Sequence, residues 1–211
     1  MTSIYINSLR ILWVICAGFI LLEDKLELHK KLTAIRSPFM DHLMVWFTHV
    51  GDGLFMCLAC IVFLFIRIKT AIILIVSFLV ASGITQLLKH TFFSEYKRPY
   101  FYLKNDDSFR VISDFTYHTE HSFPSGHATT CFVLFTILSF HYQKKYLLQI
   151  AFIIAAIFFA YTRVYLSQHF LQDIVAGSVI GVIVSLFFWD FLNPKLTKWD
   201  KPLKILDKVT K

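Results

Sequence analysis

Six charge-free apolar runs, at positions 11–22, 53–66, 70–88, 128–143, 146–162 and 174–189, leave this chain few ways to fold in water. With 56% hydrophobic and 17% charged residues among 211, it has more apolar surface than one soluble core of that size encloses. The runs are too long and too continuous for the alternating pattern of a membrane barrel. The expected fold is therefore all-α, a polytopic membrane bundle of six transmembrane helices. Several runs fall short of the ~20 residues that cross the hydrocarbon layer, so their ends must include polar residues that snorkel or face the protein interior. The same composition excludes a disordered chain and a coiled coil, and seven Gly with five Pro exclude anything collagenous.

Charge sets the orientation. A net charge of +7 would raise the question of nucleic acid on a soluble protein, but basic residues beside cytoplasmic helix ends explain it here, and no nucleic-acid partner is expected. Arg67 and Lys69, then Lys144 and Lys145, then six lysines after Asn193 all fall on one side of the expected bundle. By the positive-inside rule that side is cytoplasmic, which puts both termini inside. The long polar connection 90–124 and the turn between the fifth and sixth runs are then outside. Segment 24–52 reads as interfacial helix, and the tail 194–211, with Trp199, Leu203 and Leu206 among its lysines, as a segment lying on the membrane surface. Only Arg10 precedes the first run as a basic residue and no small-residue cleavage pattern follows it, so the first span reads as retained. Cys16, Cys57, Cys60 and Cys131 lie in apolar stretches and read as small hydrophobes, including the lone pair Cys57 and Cys60. Ser82-Gly83 in the third run reads as a point of close helix approach.

Three clusters place polar residues where apolar ones would cost less, all at the outer ends of expected spans. Lys89 ends the third run and is followed by Lys97-Arg98-Pro99. Pro124-Ser125-Gly126-His127 opens the fourth run, where a helix N-terminus with free N–H groups attracts an anion; the plain alternative is a helix cap. Arg163, His169 and Asp173 join the last two runs. His169 and Asp173 are four apart, so on a helix they share a face, and a carboxylate there fixes the tautomer of a nucleophilic imidazole. Arg163 adds a planar cation suited to two phosphate oxygens. The bland alternative for this cluster is a polar tie between two helices. His118 and His121 suggest a metal site with His127 only weakly, since no acid or cysteine sits at a zinc-ligand spacing, and no metal is expected.

Together these residues resemble the type-2 phosphatidic-acid phosphatase superfamily, whose soluble relatives include the vanadium haloperoxidases. The resemblance covers roughly positions 82–181. Pro124-Ser125-Gly126-His127 matches the second family motif fully. Arg163, five residues, His169, three residues and Asp173 match the third, with Thr162 in place of the usual Ser. The first motif departs, since eight residues rather than six separate Lys89 from Arg98-Pro99. Either Lys89 or Lys97 then serves as its lysine, with Lys89 preferred for its place at the end of a span.

The resemblance implies one integral membrane phosphatase domain over 1–211, with its catalytic motifs within 89–173. It implies that His169 attacks phosphorus and becomes transiently phosphorylated, that Asp173 orients it, and that His127 protonates the leaving oxygen. Lys89, Arg98, Ser125, Gly126 and Arg163 would hold the phosphoryl oxygens, without metal or other cofactor. The expected partners are membrane lipids and a phosphorylated lipid substrate: lipid A, undecaprenyl diphosphate, phosphatidylglycerol phosphate or phosphatidate. The implied setting is a bacterial inner membrane, with the site facing the exterior. A phosphotransferase from one lipid to another would use the same site, and a catalytically silent transporter or scaffold would keep the fold.

Overall fold

The computed structural model describes residues 4–106, 109–113 and 115–203. Among these there is no strand, and nine α-helices carry the architecture: α1 (Ile4–Leu22), α2 (Lys25–Leu32), α3 (Pro38–Phe47), α4 (Gly53–Ile66), α5 (Ile68–Leu87), α6 (Pro99–Leu103), α7 (Gly126–His141), α8 (Tyr146–Tyr165) and α9 (Leu171–Leu192). The charge-free runs are the cores of α1, α4, α5, α7, α8 and α9. Four helical stretches, Ile4–Leu22, Ile68–Phe92, Tyr146–Tyr165 and Leu171–Leu192, are long and apolar enough to cross a membrane. The pair Pro38–Gly51 and Gly53–Ile66, bent by 57°, brings the number to as many as five.

The remaining run, α7, has 16 residues and lies at the centre of the bundle. Every residue from Ala128 to Ile137 on it is buried, as befits a helix that is apolar all round and surrounded by protein. Around it, α1, α4 and α9 turn residues such as Val14, Leu21, Leu54, Ile183 and Phe187 outward, an apolar belt that suits contact with lipid chains. Close approach of α9 to α7 depends on two glycines one turn apart. A Cβ at Gly177 would lie 2.4 Å from the Ser125 carbonyl oxygen, and one at Gly181 would lie 2.7 Å from that of Thr129. Gly83, by contrast, has nothing within 4 Å of such a Cβ, so the tight helix contact is at Gly177 and Gly181 and not at Ser82-Gly83.

Segment 24–52 is two short helices and a 3-10 turn rather than one interfacial helix. Asp24 caps α2 by accepting from the backbone N–H groups of Leu26 and Glu27, and Ser37 caps α3 by accepting from that of Met40. The 3-10 turn Thr48–Gly51 then leads into α4.

One end of the bundle collects the basic turns. Arg67 Nε pairs with Asp200 at 2.9 Å, Ile68 N–H donates to the Lys201 carbonyl, and Leu203 N–H donates to that of Leu64. Thr70 on α5 bonds His141 at the end of α7, and Tyr5 on α1 meets Gln149 on α8. The described part of the tail therefore docks on the α4–α5 turn; Leu206 and the rest of 204–211 lie outside the described residues.

Candidate active site

The three polar clusters meet at the opposite end, around a cavity of about 400 Å³. Lys89, Arg98, Gly126, His127, Arg163 and His169 line it. Ser125 and Asp173 are fully buried and support the wall from behind.

Each side chain is delivered by a specific piece of local structure. Lys89 sits in a π-helical turn, Leu88–Phe92, that continues α5 and aims the ammonium inward. A π turn takes up an additional residue within a helix, which absorbs part of the longer interval to Arg98. Lys97 turns away and ion-pairs with Glu120. Arg98 is anchored by Nε donating to the Glu120 carbonyl at 2.7 Å, and by Nη1 donating to the Gln168 side-chain oxygen at 3.1 Å. Burial lowers its guanidinium to about 10, so it stays charged at neutral pH. Connection 90–124 is ordered in its described part by Arg98 N–H to the Thr119 carbonyl, Ser122 N–H to that of Tyr96, and the stacked rings of Tyr100 and Tyr117.

Ser125 caps α7, accepting from Ala128 N–H at 3.3 Å, and its own N–H donates to the Asp173 carbonyl. The first turn of α7 therefore faces the cavity with its N–H groups and positive dipole end. Gly126 has open space where a Cβ would be, which keeps the cavity wall low at that point.

Arg163, at the end of α8, donates from Nη1 to the Thr48 hydroxyl at 2.9 Å. Its carbonyl accepts the N–H groups of Gln168 and His169, closing the α8–α9 loop over it. Ser167 takes a left-handed conformation, φ 52°, and its hydroxyl is held by His29 Nε2 at 3.1 Å and Arg36 Nη2 at 2.9 Å. Neither His29 nor Arg36 carried a motif in the sequence.

His169 Nδ1 lies 3.4 Å from Asp173 Oδ2, which is ion-pair range without hydrogen-bond geometry. That carboxylate oxygen instead accepts from Ser122 Oγ at 2.5 Å and from Phe170 N–H at 2.9 Å, capping α9. His169 Nε2 faces Arg98 Nη1 at 3.4 Å. Burial first, then the charges of Arg98, Lys89 and Arg163, hold the His169 imidazole well below its ordinary 6.5, leaving it unprotonated at neutral pH.

A further carboxylate, missed in the sequence, stands beside His127: Asp52 Oδ1 is 2.7 Å from its Nε2. The only hint was an acid flanked by Gly51 and Gly53 at the mouth of an apolar run. His118 also lines the cavity, and the His121 ring lies tilted at 55° to that of His90 with centroids 4.7 Å apart. Among the described residues no group of three or more His, Cys, Asp or Glu side chains is placed to hold a metal ion.

Residues 70–196, more than half of the chain, match the PAP2 superfamily. The chain belongs to that superfamily. Among similar proteins, the lipid A 4'-phosphatase of Porphyromonas gingivalis is 23% identical over 184 residues, covering 85% of this chain and 77% of that one. The lipid A 4'-phosphatase of Bacteroides thetaiotaomicron is 39% identical over 75 residues, 36% of this chain and 32% of that one. In three dimensions the chain is similar to LpxE of Aquifex aeolicus, with a TM-score of 0.66 and 25% identity over 79% of this chain and 94% of that one. The PAP2-type phosphatidylglycerolphosphate phosphatase of Bacillus subtilis, TM-score 0.62, shares the fold at 21% identity over 92% of this chain and 98% of that one. PAP2 membership supports reading the chain as a membrane phosphatase of lipid metabolism.

Proposed function

We propose that this protein hydrolyses a phosphate ester on a lipid headgroup through a phosphohistidine. The observation that carries the reading is the convergence of Lys89, Arg98 and Arg163 with His127 and His169 on one cavity at the N-terminus of α7. His169 Nε2 forms a bond to phosphorus as the bond to the lipid oxygen breaks, and His127 supplies that oxygen with a proton. Water then attacks the phosphohistidine, giving its proton to His127, and inorganic phosphate leaves. The three cations, Ser125 and the first N–H groups of α7 offset the negative charge spread over the phosphoryl oxygens in both steps. This is work a metal ion does in other phosphatases, so turnover without added metal is part of the proposal.

A phosphate on lipid A is the first substrate to try, because two similar proteins carry that activity in their names. The proposal includes six spans, with α7 and the α3–α4 pair each counted as one. The domain runs over 1–211 with the cavity at the outer face of a bacterial inner membrane and the tail 194–211 inside. Gathering of the basic turns at the end remote from the cavity supports that orientation. Its test is phosphate release by the purified protein from lipid A, undecaprenyl diphosphate, phosphatidylglycerol phosphate and phosphatidate, with His169→Ala as control. Release from none of them, or undiminished release by His169→Ala, sinks the reading.

A further inference from the structure

Asp52 and His127 approach each other from parts of the chain that share no motif. The pair has two independent marks of a built contact. The first is the 2.7 Å separation of Asp52 Oδ1 and His127 Nε2, with the other carboxylate oxygen held by His49 Nδ1 at 2.8 Å. The second is the backbone before Asp52. A Cβ on Gly51 would lie 2.7 Å from His127 Cδ2 and 3.2 Å from Cys131 Sγ, so the 3-10 turn is moulded against the ring. The other titratable and charged groups around His127 and its cavity are cationic or neutral: Arg163 from α8, Arg98 and Lys89 beyond α5, His118 from connection 90–124, His169 from the α8–α9 loop, and Cys131 one turn along α7. Asp52 is therefore the carboxylate that balances this ring, as Asp173 stands beside His169.

We propose that Asp52 is the positioning residue for the proton transfers of His127, an inference that rests on the proton-donor role given to His127 above. With Nε2–H committed to Asp52, the proton must pass through Nδ1. In the imidazolium, Nδ1–H is delivered to the lipid oxygen as its bond to phosphorus breaks. In the neutral ring that remains, Nε2 keeps its proton and the Nδ1 lone pair is available to the attacking water. The carboxylate stabilises the imidazolium and selects this tautomer, so one contact serves both halves of the cycle. His49 is exposed on the far side of the carboxylate and fixes its second oxygen.

The test uses Asp52→Asn, Asp52→Glu and His127→Ala, with a lipid phosphate as alkyl ester and with p-nitrophenyl phosphate, whose leaving group departs without a proton. Asp52→Asn should lower lipid phosphate turnover on the order of 100-fold, within the range of general acid–base contributions. Its basic pH limb should move to lower pH, because the imidazolium loses its counter-charge. With p-nitrophenyl phosphate the same variant should give a burst of nitrophenolate followed by slow turnover, as the first step is spared and water attack is not. Asp52→Glu, which keeps the charge, should recover part of the rate and the wild-type pH limb. Loss of turnover on both substrates with no nitrophenolate burst and an unshifted pH profile would reduce Asp52 to a structural residue and overturn the inference. If His127→Ala is inactive while Asp52→Asn behaves as wild type, Asp52 alone is excluded; wild-type turnover by His127→Ala would instead remove the proton-donor reading itself.

Discussion

A methyl group on Gly177 would sit 2.4 Å from the carbonyl oxygen of Ser125, the residue that starts the central helix. That oxygen also accepts the backbone N–H and the hydroxyl of Thr129, so it has no freedom to retreat. Gly177→Ala must push α9 from α7, and Asp173 rides on the first turn of α9. Overpacking of this kind costs about 1–3 kcal/mol. The expected outcome is a lowered unfolding temperature in detergent together with at least a tenfold drop in kcat. Gly126→Ala should do the opposite, unfolding like the wild type while KM rises, because its methyl group enters only the cavity.

Lys89→Ala should remove nearly all phosphatase activity, and Lys97→Ala should leave it within about threefold of wild type, as expected for one exposed surface ion pair. Steady-state kinetics on a single lipid phosphate decides between them. The reverse order of damage would reassign the phosphate-binding lysine.

Acid should not switch off His169, the proposed nucleophile, near the usual histidine value. Since the folded-state value of His169 is depressed, the ring stays neutral as pH falls through 6.5 and gains its proton only at distinctly lower pH. The acid limb of kcat/KM should therefore not be set by His169 at or above pH 6.5. The same depression carries a stability consequence: the unfolded chain takes up the proton first, so stability present above about pH 6.5 is lost progressively below it. Titration of the His169 ring by NMR at or above 6.5 would refute both statements.

Activity should persist in excess EDTA without added Mg²⁺, and orthovanadate should inhibit it, because vanadium accepts an apical histidine nitrogen in the five-coordinate shape of phosphorus under attack. Arg163→Ala should raise the vanadate concentration needed for half inhibition by about 10- to 100-fold, the worth of a charge-assisted hydrogen-bond pair. Loss of activity in EDTA with rescue by Mg²⁺ would point back to a metal-dependent reaction.

Orientation is open to labelling. In a cysteine-free background, Lys104→Cys should react with an impermeant thiol reagent added to intact cells, and Lys144→Cys only after lysis. Both positions are exposed, so lack of reaction would not reflect burial. The opposite pattern would invert the protein and turn the cavity to the cytoplasm.

The polar clusters were legible because an apolar chain makes each charged side chain at a helix end conspicuous, and their convergence followed from the order of the runs. What the chain hid is equally specific. A period of 3.6 says nothing about the π turn that carries Lys89, or about the Glu120 ion pair that turns Lys97 aside. Spacing put His169 and Asp173 on neighbouring turns, yet gave no sign that Ser122 and the Phe170 N–H would occupy the carboxylate oxygen. Asp52 belongs to no local pattern with His127 and meets it at the break between the 3-10 turn and α4. Gly83 and Gly177 look alike as letters; only packing distinguishes the open site from the crowded one.

The burial of α7 on all sides has a mechanical consequence. In the proposed membrane setting, lipid chains press on the outer faces of α1, α4 and α9, and a thinner or thicker bilayer is met first by tilting of those peripheral helices. The helix that presents Ser125, Gly126 and His127 has no lipid-facing stripe through which such a load could act directly. Ser125, Gly126 and His127 are in this way shielded from a direct load, whereas Asp173, on the first turn of α9, is not, so any influence of acyl-chain length reaches the cavity through α9.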